Sequence, residues 1–184
     1  INIYEIRQAI VIAPFKYELG LVIFSLISLM FMYGAGAFPM NLWLPDVIGG
    51  APTPAAAFIF LASRIVCFAM AIRIFLIVFT QPALSPGQWA VLGEFDWREV
   101  IAIFSGFSMV IGALLAIGQD CGKRMIACLG VSQAGFLLIG LLVLDQRGVA
   151  ALLYNLVVDL FAVIIAFHAL SLLIDELGSD RFSD

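Results

Sequence analysis

The sequence predicts an all-α integral membrane protein of about five transmembrane helices, the first of them broken. Of its 184 residues, 64% are hydrophobic and only 12% are charged, with a mean hydropathy of +1.13. A soluble domain of this size carries roughly a quarter charged residues. Here nearly all of the few charges lie between apolar runs of about 20 residues, the length that an α-helix needs to cross a bilayer. The runs lack the alternation of a membrane β-strand, so helices are predicted throughout.

The first predicted span lies within residues 19–45, where no charged residue occurs. Gly34, Gly36 and Pro39 interrupt its apolar run and predict a break in the helix. Broken helices in transporters expose backbone groups to a hydrated cavity, whereas a proline kink can also serve packing alone. The break by itself fits both interpretations.

Four further spans are predicted after the first. The second starts near residue 55, just after Pro52 and Pro54, which suit a helix start, and ends near Thr80. The others are residues 100–117, 125–144 and 149–173, joined by polar turns at 118–124 and 145–148. The longer connection, 81–99, is rich in proline, glycine and acidic residues and is predicted to be a surface loop. We therefore expect an interfacial segment (1–18), one membrane domain (19–173) and a solvent-exposed tail (174–184).

Charge and cysteine content exclude several classes of protein. The formal net charge is -4, and no basic cluster exceeds Lys123-Arg124, so no nucleic-acid partner is expected. The three cysteines form no CxxC pair and the single His168 completes no ligand set, so neither a metal site nor a catalytic residue is predicted. A dinucleotide-binding glycine turn and an iron-sulfur cysteine framework are also missing, so no cofactor is expected on this chain.

Four ionisable side chains lie in or near the predicted spans: Arg64, Arg73, Asp159 and His168. Arg64 and Asp159 are each about 15 Å from the start of their helices, near mid-membrane, where a charge costs about 2.5–3.5 kcal/mol on insertion scales. The two can form a pair, which either belongs to an ion or proton path or only joins two helices. Arg73 is expected to reach the interface. His168 is either a proton relay or a neutral, hydrogen-bonded side chain.

Residues 38–54 carry a motif, Phe-Pro-Met-Asn-Leu-Trp-Leu-Pro-Asp-Val-Ile-Gly-Gly-Ala-Pro-Thr-Pro. It resembles the Pro-Phe-His-x-Trp-x-Pro-Asp-Val-Tyr-x-Gly-Ala-Pro-Thr-Pro signature of subunit 2, called subunit N in bacteria, of proton-pumping NADH:quinone oxidoreductase (respiratory complex I). The matching positions include Pro39, Trp43, Pro45, Asp46, Pro52 and Pro54. Residues 114–126 and 132–140 resemble a second segment of that family, which contains a Lys-Arg pair at the position of Lys123.

The resemblance implies that the chain corresponds to helices seven to eleven of a fourteen-helix antiporter-like subunit, and so to a fragment of it. Three departures from the family bear on mechanism. The lysine that the family places in the broken helix is Gly34 here, and the histidine of the motif is Asn41. The lysine of the next helix is Arg64, whose guanidinium stays charged and cannot pass a proton as a lysine can. The proton-path or buried-charge candidates are thus Arg64, Asp159, Lys123 and His168, with Asp159 expected to be a counter-charge to Arg64.

As implied by the resemblance, the chain is expected to be a membrane-arm part of complex I whose proton pumping is weak or lost. Its expected partners are neighbouring antiporter-like subunits, lipids and a separate chain that supplies missing helices. Flavin, iron-sulfur clusters and quinone are expected elsewhere in that complex. Two alternatives stay open: a purely structural subunit, and a module of a cation/proton antiporter or membrane-bound hydrogenase. The expected location is an energy-transducing membrane, with the mitochondrial inner membrane favoured over the bacterial plasma membrane or thylakoid.

Overall fold

The computed structural model describes residues 17–83, 87–91 and 96–177. Its elements are α1 (Tyr17–Ala35), α2 (Trp43–Gly50), α3 (Thr53–Val78), β1 (Thr80–Pro82), β2 (Trp89–Val91), α4 (Trp97–Ile117), α5 (Gly122–Leu142) and α6 (Gln146–Leu177). Among the described residues, the four helices α3 to α6 are long and apolar enough to cross a membrane, and α1 is a shorter apolar helix. The predicted all-helical membrane fold is confirmed. Most of the predicted interfacial segment (1–18) and solvent-exposed tail (174–184) lies outside the described residues, but residues 174–177 continue α6 and are not yet a separate tail.

The predicted break in the first span is present. Helix α1 ends at Ala35, and Gly36 follows with a φ of 71°, a left-handed conformation that favours glycine. The chain then turns away from the helix axis, because the amide of Ala37 donates to the carbonyl oxygen of Met32 at 2.8 Å. The amide of Phe38 donates to Ser108 Oγ on α4 at 3.0 Å, which ties the break to a neighbouring span. The short helix α2 resumes after it.

The connection between α3 and α4 is more ordered than a plain surface loop. Strands β1 and β2 pair antiparallel, with Thr80 opposite Val91 and Pro82 opposite Trp89. The amide of Trp89 also donates to the carbonyl oxygen of Leu144 at 2.8 Å, which docks the hairpin on the turn between α5 and α6. The sequence shows no alternating pattern here, because each strand has only three residues.

Helix α4 begins at Trp97, earlier than the predicted start at residue 100. Asp96 caps it, since its side chain accepts a hydrogen bond from the amide of Arg98 at 3.1 Å. The Arg98 side chain binds the same carboxylate, and this hydrogen bond holds the pKa of Asp96 below its ordinary value. Trp97 itself is 1% exposed and stacks on Phe75 with ring centroids 5.4 Å apart. The cap and the buried indole together extend the helix by its first turn.

Small residues bring α4 and α5 into close contact. A Cβ added to Gly135 would lie 2.7 Å from the carbonyl oxygen of Ser105, so only glycine permits this approach. Ser105 Oγ donates to the carbonyl oxygen of Gly135 at 2.8 Å, and Ser108 Oγ donates to that of Val131 at 3.1 Å. Close backbone approach and serine hydrogen bonds are the usual basis of helix association in lipid. The helices α4 and α5 are therefore tightly packed against each other.

Candidate functional site

The structure brings Arg64 and Asp159 into direct contact. Arg64 Nη1 lies 2.5 Å from Asp159 Oδ2, and the side chains are 2% and 8% exposed. Arg64 is about 16 Å along α3 from Thr53, at 1.5 Å per residue, which places the pair inside the span. The pair that the sequence left open is thus formed between α3 and α6.

Two further contacts hold the guanidinium of Arg64. Its Nη2 donates to the carbonyl oxygen of Gly130 on α5, and its Cζ lies 4.4 Å from the ring centroid of Phe60, in cation–π range. One charge therefore links three helices, α3, α5 and α6. Neither contact could be found from the sequence, because a carbonyl oxygen has no residue signature and Phe60 is one of 16 phenylalanines.

Gly130 is required for this arrangement. A Cβ at this position would collide with the Phe60 ring and lie 2.9 Å from Arg64 Nη2. Any larger residue must displace one of these two side chains. The glycine therefore gives the guanidinium access to the α5 backbone.

An apolar cluster surrounds the pair and excludes water from it. Phe60 and Phe167 meet at a centroid distance of 6.2 Å, and both are nearly inaccessible. Val131 on α5 and Val163 on α6 belong to the same cluster. In such surroundings the attraction between opposite charges is stronger than in water, but so is the cost of leaving either charge alone.

Gly34 lies in the broken helix where the family has a lysine, and the side chain of Cys67 on α3 occupies the space beside it. Gly34 has no side chain, and a Cβ added there would collide with Cys67 Sγ on α3. Cys67 lies one helical turn after Arg64, on the same side of α3. This contact was not predictable from the sequence, since the lone thiol belongs to no motif.

The remaining motif residues lie in the break, in the short helix α2 and at the start of α3. Asn41, at the position of the family histidine, is 2% exposed, so the break buries an uncharged amide there. Trp43 Nε1 donates to the carbonyl oxygen of Tyr33 at 2.9 Å, across the break. Pro45 lies within α2, Pro52 is the N-cap residue of α3, and Pro54 follows in its first turn, as predicted for a helix start.

Basic residues at the start of α5 contact helix α2, which carries Asp46, and the turn that follows it. Arg124 Nη2 lies 3.1 Å from Asp46 Oδ1, with side chains 48% and 75% exposed. Lys123 Nζ donates to the carbonyl oxygen of Ala51 at 3.4 Å. Lys123 thus lies at a helix end and is not part of the Arg64 and Asp159 pair.

The other two predicted ionisable residues stand apart from the pair. His168 and Arg73 are both exposed, on α6 and α3 respectively. Among the residues that the structure describes, no three His, Cys, Asp or Glu side chains form a group that could hold a metal ion. The chemistry of the described site is therefore that of one fixed pair of opposite charges inside an apolar cluster.

Comparison with known proteins gives consistent results. A family model described as NADH:quinone oxidoreductase/Mrp antiporter, TM, matches residues 2–183. The chain is 37% identical over 154 residues to NADH-quinone oxidoreductase subunit N 2 of Chloroherpeton thalassium, which covers 84% of the chain and 29% of that protein. It is 35% identical over 182 residues to NAD(P)H-quinone oxidoreductase subunit 2 of a Synechococcus species, which covers 96% of the chain and 32% of that protein. For NADH-quinone oxidoreductase subunit N of a Geobacillus species, identity is 32% over 186 residues, or 99% of the chain and 37% of that protein. The chain thus spans about a third of the length of these relatives.

Proposed function

Because the chain belongs to the NADH:quinone oxidoreductase/Mrp antiporter membrane family, we propose that it forms part of an antiporter-like membrane subunit of a complex I type NADH:quinone oxidoreductase. The resemblance read from the two motifs is confirmed by the family match and by relatives named as subunits of that enzyme. The partners that follow are other membrane-arm subunits and lipids. Flavin, iron-sulfur clusters and quinone belong to other parts of that complex.

We further propose that this module passes protons weakly or not at all. The observation that carries this proposal is the contact of 2.5 Å between Arg64 and Asp159, with the same guanidinium bound to the carbonyl oxygen of Gly130. A proton carrier must lose and regain its proton, and a guanidinium held by an ion pair and a carbonyl oxygen does neither. Gly34 and Asn41 supply no titratable group in the broken helix. At these positions the part of the chain that the structure describes then offers no side chain that releases and regains a proton.

A subunit of such a complex would be located in an energy-transducing membrane. Four described helices are suited to span it. The three relatives named above are bacterial, one of them cyanobacterial, so they give no support to the mitochondrial preference. A bacterial plasma membrane or thylakoid is the location that these relatives favour.

Purification of the tagged protein from its native membrane tests membership of the complex. We expect the flavin and iron-sulfur subunits of an NADH:quinone oxidoreductase to co-purify, together with NADH oxidation that depends on quinone. Hydrogenase subunits in their place, or other cation/proton antiporter subunits without any redox protein, would overturn the assignment. The second candidate, an Mrp-type antiporter, is favoured only by the family description, which names both classes.

A further inference from the structure

A small cavity lies beside the break, between α1, α3 and two neighbouring spans. Its volume is about 10 Å³, and its walls are apolar except for Ser28 on α1 and Cys67 on α3. Phe31, Phe68 and Phe75 provide much of the apolar wall. One water molecule needs about 10–15 Å³ of such volume, so the cavity can hold one and no more.

Ser28 faces this cavity with an unpaired hydroxyl. The residue is 3% exposed, and its Oγ has no hydrogen-bond partner among the described residues. Ser25, one turn earlier on the same helix, behaves differently, since its hydroxyl donates to the carbonyl oxygen of Val22 at 2.8 Å. A buried hydroxyl without a partner is destabilising, so a ligand that completes its hydrogen bonds binds favourably.

We propose that Ser28 and Cys67 together hold one buried water molecule at this position. The hydroxyl can donate to the water or accept from it, and the thiol supplies a second, weaker donor and acceptor. Buried waters bind where at least two polar groups meet in a space of this size. An apolar cavity without Ser28 stays dry, so the hydroxyl decides the occupant.

The site gives Cys67 a second role beside its contact with Gly34. Its thiol fills the space of the missing side chain on one side and borders the water on the other. The water links the broken helix to the helix that carries Arg64, one turn away. The water site depends only on the cavity and the hydroxyl of Ser28, so we expect it whichever complex contains the chain.

A density map of the complete protein at a resolution that shows ordered waters tests the site. We expect one peak within hydrogen-bond distance of Ser28 Oγ and Cys67 Sγ. The peak should disappear in Ser28→Ala and persist in Ser25→Ala, the matched control. A wild-type map without this peak, or with xenon bound in the cavity under xenon pressure, would overturn the proposal.

Infrared spectroscopy of the thiol provides an independent measurement. The S–H stretching band of Cys67, identified by its loss in Cys67→Ala, should lie at lower frequency in the wild type than in Ser28→Ala, because the water accepts from the thiol. Ser25→Ala should leave the band in place. Equal frequencies in the wild type and Ser28→Ala would refute the water contact. If Ser28→Ala does not assemble, the wild-type density map decides.

Discussion

Removal of one partner of the Arg64 and Asp159 pair should destabilise the protein far more than removal of both. The charges are in contact at 2.5 Å, and the side chains are 2% and 8% exposed. With charge centres about 4 Å apart and an effective dielectric constant of about 20, the attraction is about 4 kcal/mol. Desolvation of the two ions costs several kcal/mol each, so the attraction balances that cost only with the help of the hydrogen bond from Arg64 to the carbonyl oxygen of Gly130. The intact pair is therefore close to neutral, whereas one buried charge left alone costs about 3–5 kcal/mol.

A double-mutant cycle in the complete subunit measures this difference. The variants are Arg64→Met, Asp159→Leu and the double variant, with the free energy of unfolding obtained from SDS titration in mixed micelles and followed by tryptophan fluorescence. We expect each single variant to lose about 3–5 kcal/mol and the double variant to lie within about 2 kcal/mol of the wild type. The coupling energy is then at least about 4 kcal/mol.

The exposed pair of Arg124 and Asp46 is the matched control. Its atoms are 3.1 Å apart, but its side chains are 48% and 75% exposed, so its coupling should be about 0.2–1 kcal/mol. Interhelical hydrogen bonds in membrane proteins reach about 1.7 kcal/mol at most in such cycles. A coupling energy of Arg64 and Asp159 below about 1 kcal/mol would show that the two charges are not buried and interdependent.

Three further predictions use the same unfolding assay. Gly130→Ala should cost about 1–3 kcal/mol through overpacking, whereas Gly106→Ala, where a Cβ meets nothing within 4 Å, should be neutral or stabilising; equal effects would contradict the collision. Gly34→Ala should be destabilising alone and rescued by Cys67→Gly, so additive losses in the double variant would show that the two positions do not share space. Asp96→Ala should cost about 1 kcal/mol at neutral pH through loss of the helix cap. The hydrogen bond from Arg98 lowers the folded-state pKa of Asp96. The stability that Asp96 contributes is therefore present above its unfolded pKa of about 3.9 and is lost as the pH falls through the folded value. If Asp96→Ala destabilised the protein equally at every pH, the carboxylate would not be the stabilising group.

Long-period features of the chain were predictable from the sequence. Apolar runs of membrane length predicted α3 to α6, and Pro52 marked the start of α3. Gly34, Gly36 and Pro39 predicted the break, and the structure places it at Gly36, whose φ of 71° is one that other residues avoid. These features depend on local composition and backbone chemistry, which the sequence contains directly.

Contacts between helices were not predictable in the same way. The sequence allowed Arg64 to meet Asp159 but gave no evidence that α3 touches α6. The carbonyl oxygen of Gly130 and the thiol of Cys67 enter the site through tertiary packing, which no spacing along the chain encodes. The hairpin before α4 was missed because its strands are too short for a periodic signal.

Because the charges of Arg64 and Asp159 are fixed in a pair and Gly34 and Asn41 carry no titratable group, we expect this module to contribute few or no protons to the complex. A lysine at position 34 fits only when Cys67 is reduced in size, because a Cβ on Gly34 would collide with Cys67 Sγ. The variant for the test is therefore Gly34→Lys with Cys67→Gly and Arg64→Lys. Its assembly is checked by co-purification and by an unchanged rate of NADH oxidation.

The decisive measurement is the number of protons moved per electron pair by the reconstituted complex in sealed vesicles. We predict that the complex with the natural chain moves fewer protons than the complex with the lysines restored, at the same rate of electron transfer. If the natural complex already moves as many protons as the lysine-restored complex, this module does not pass protons more weakly than one with the lysines.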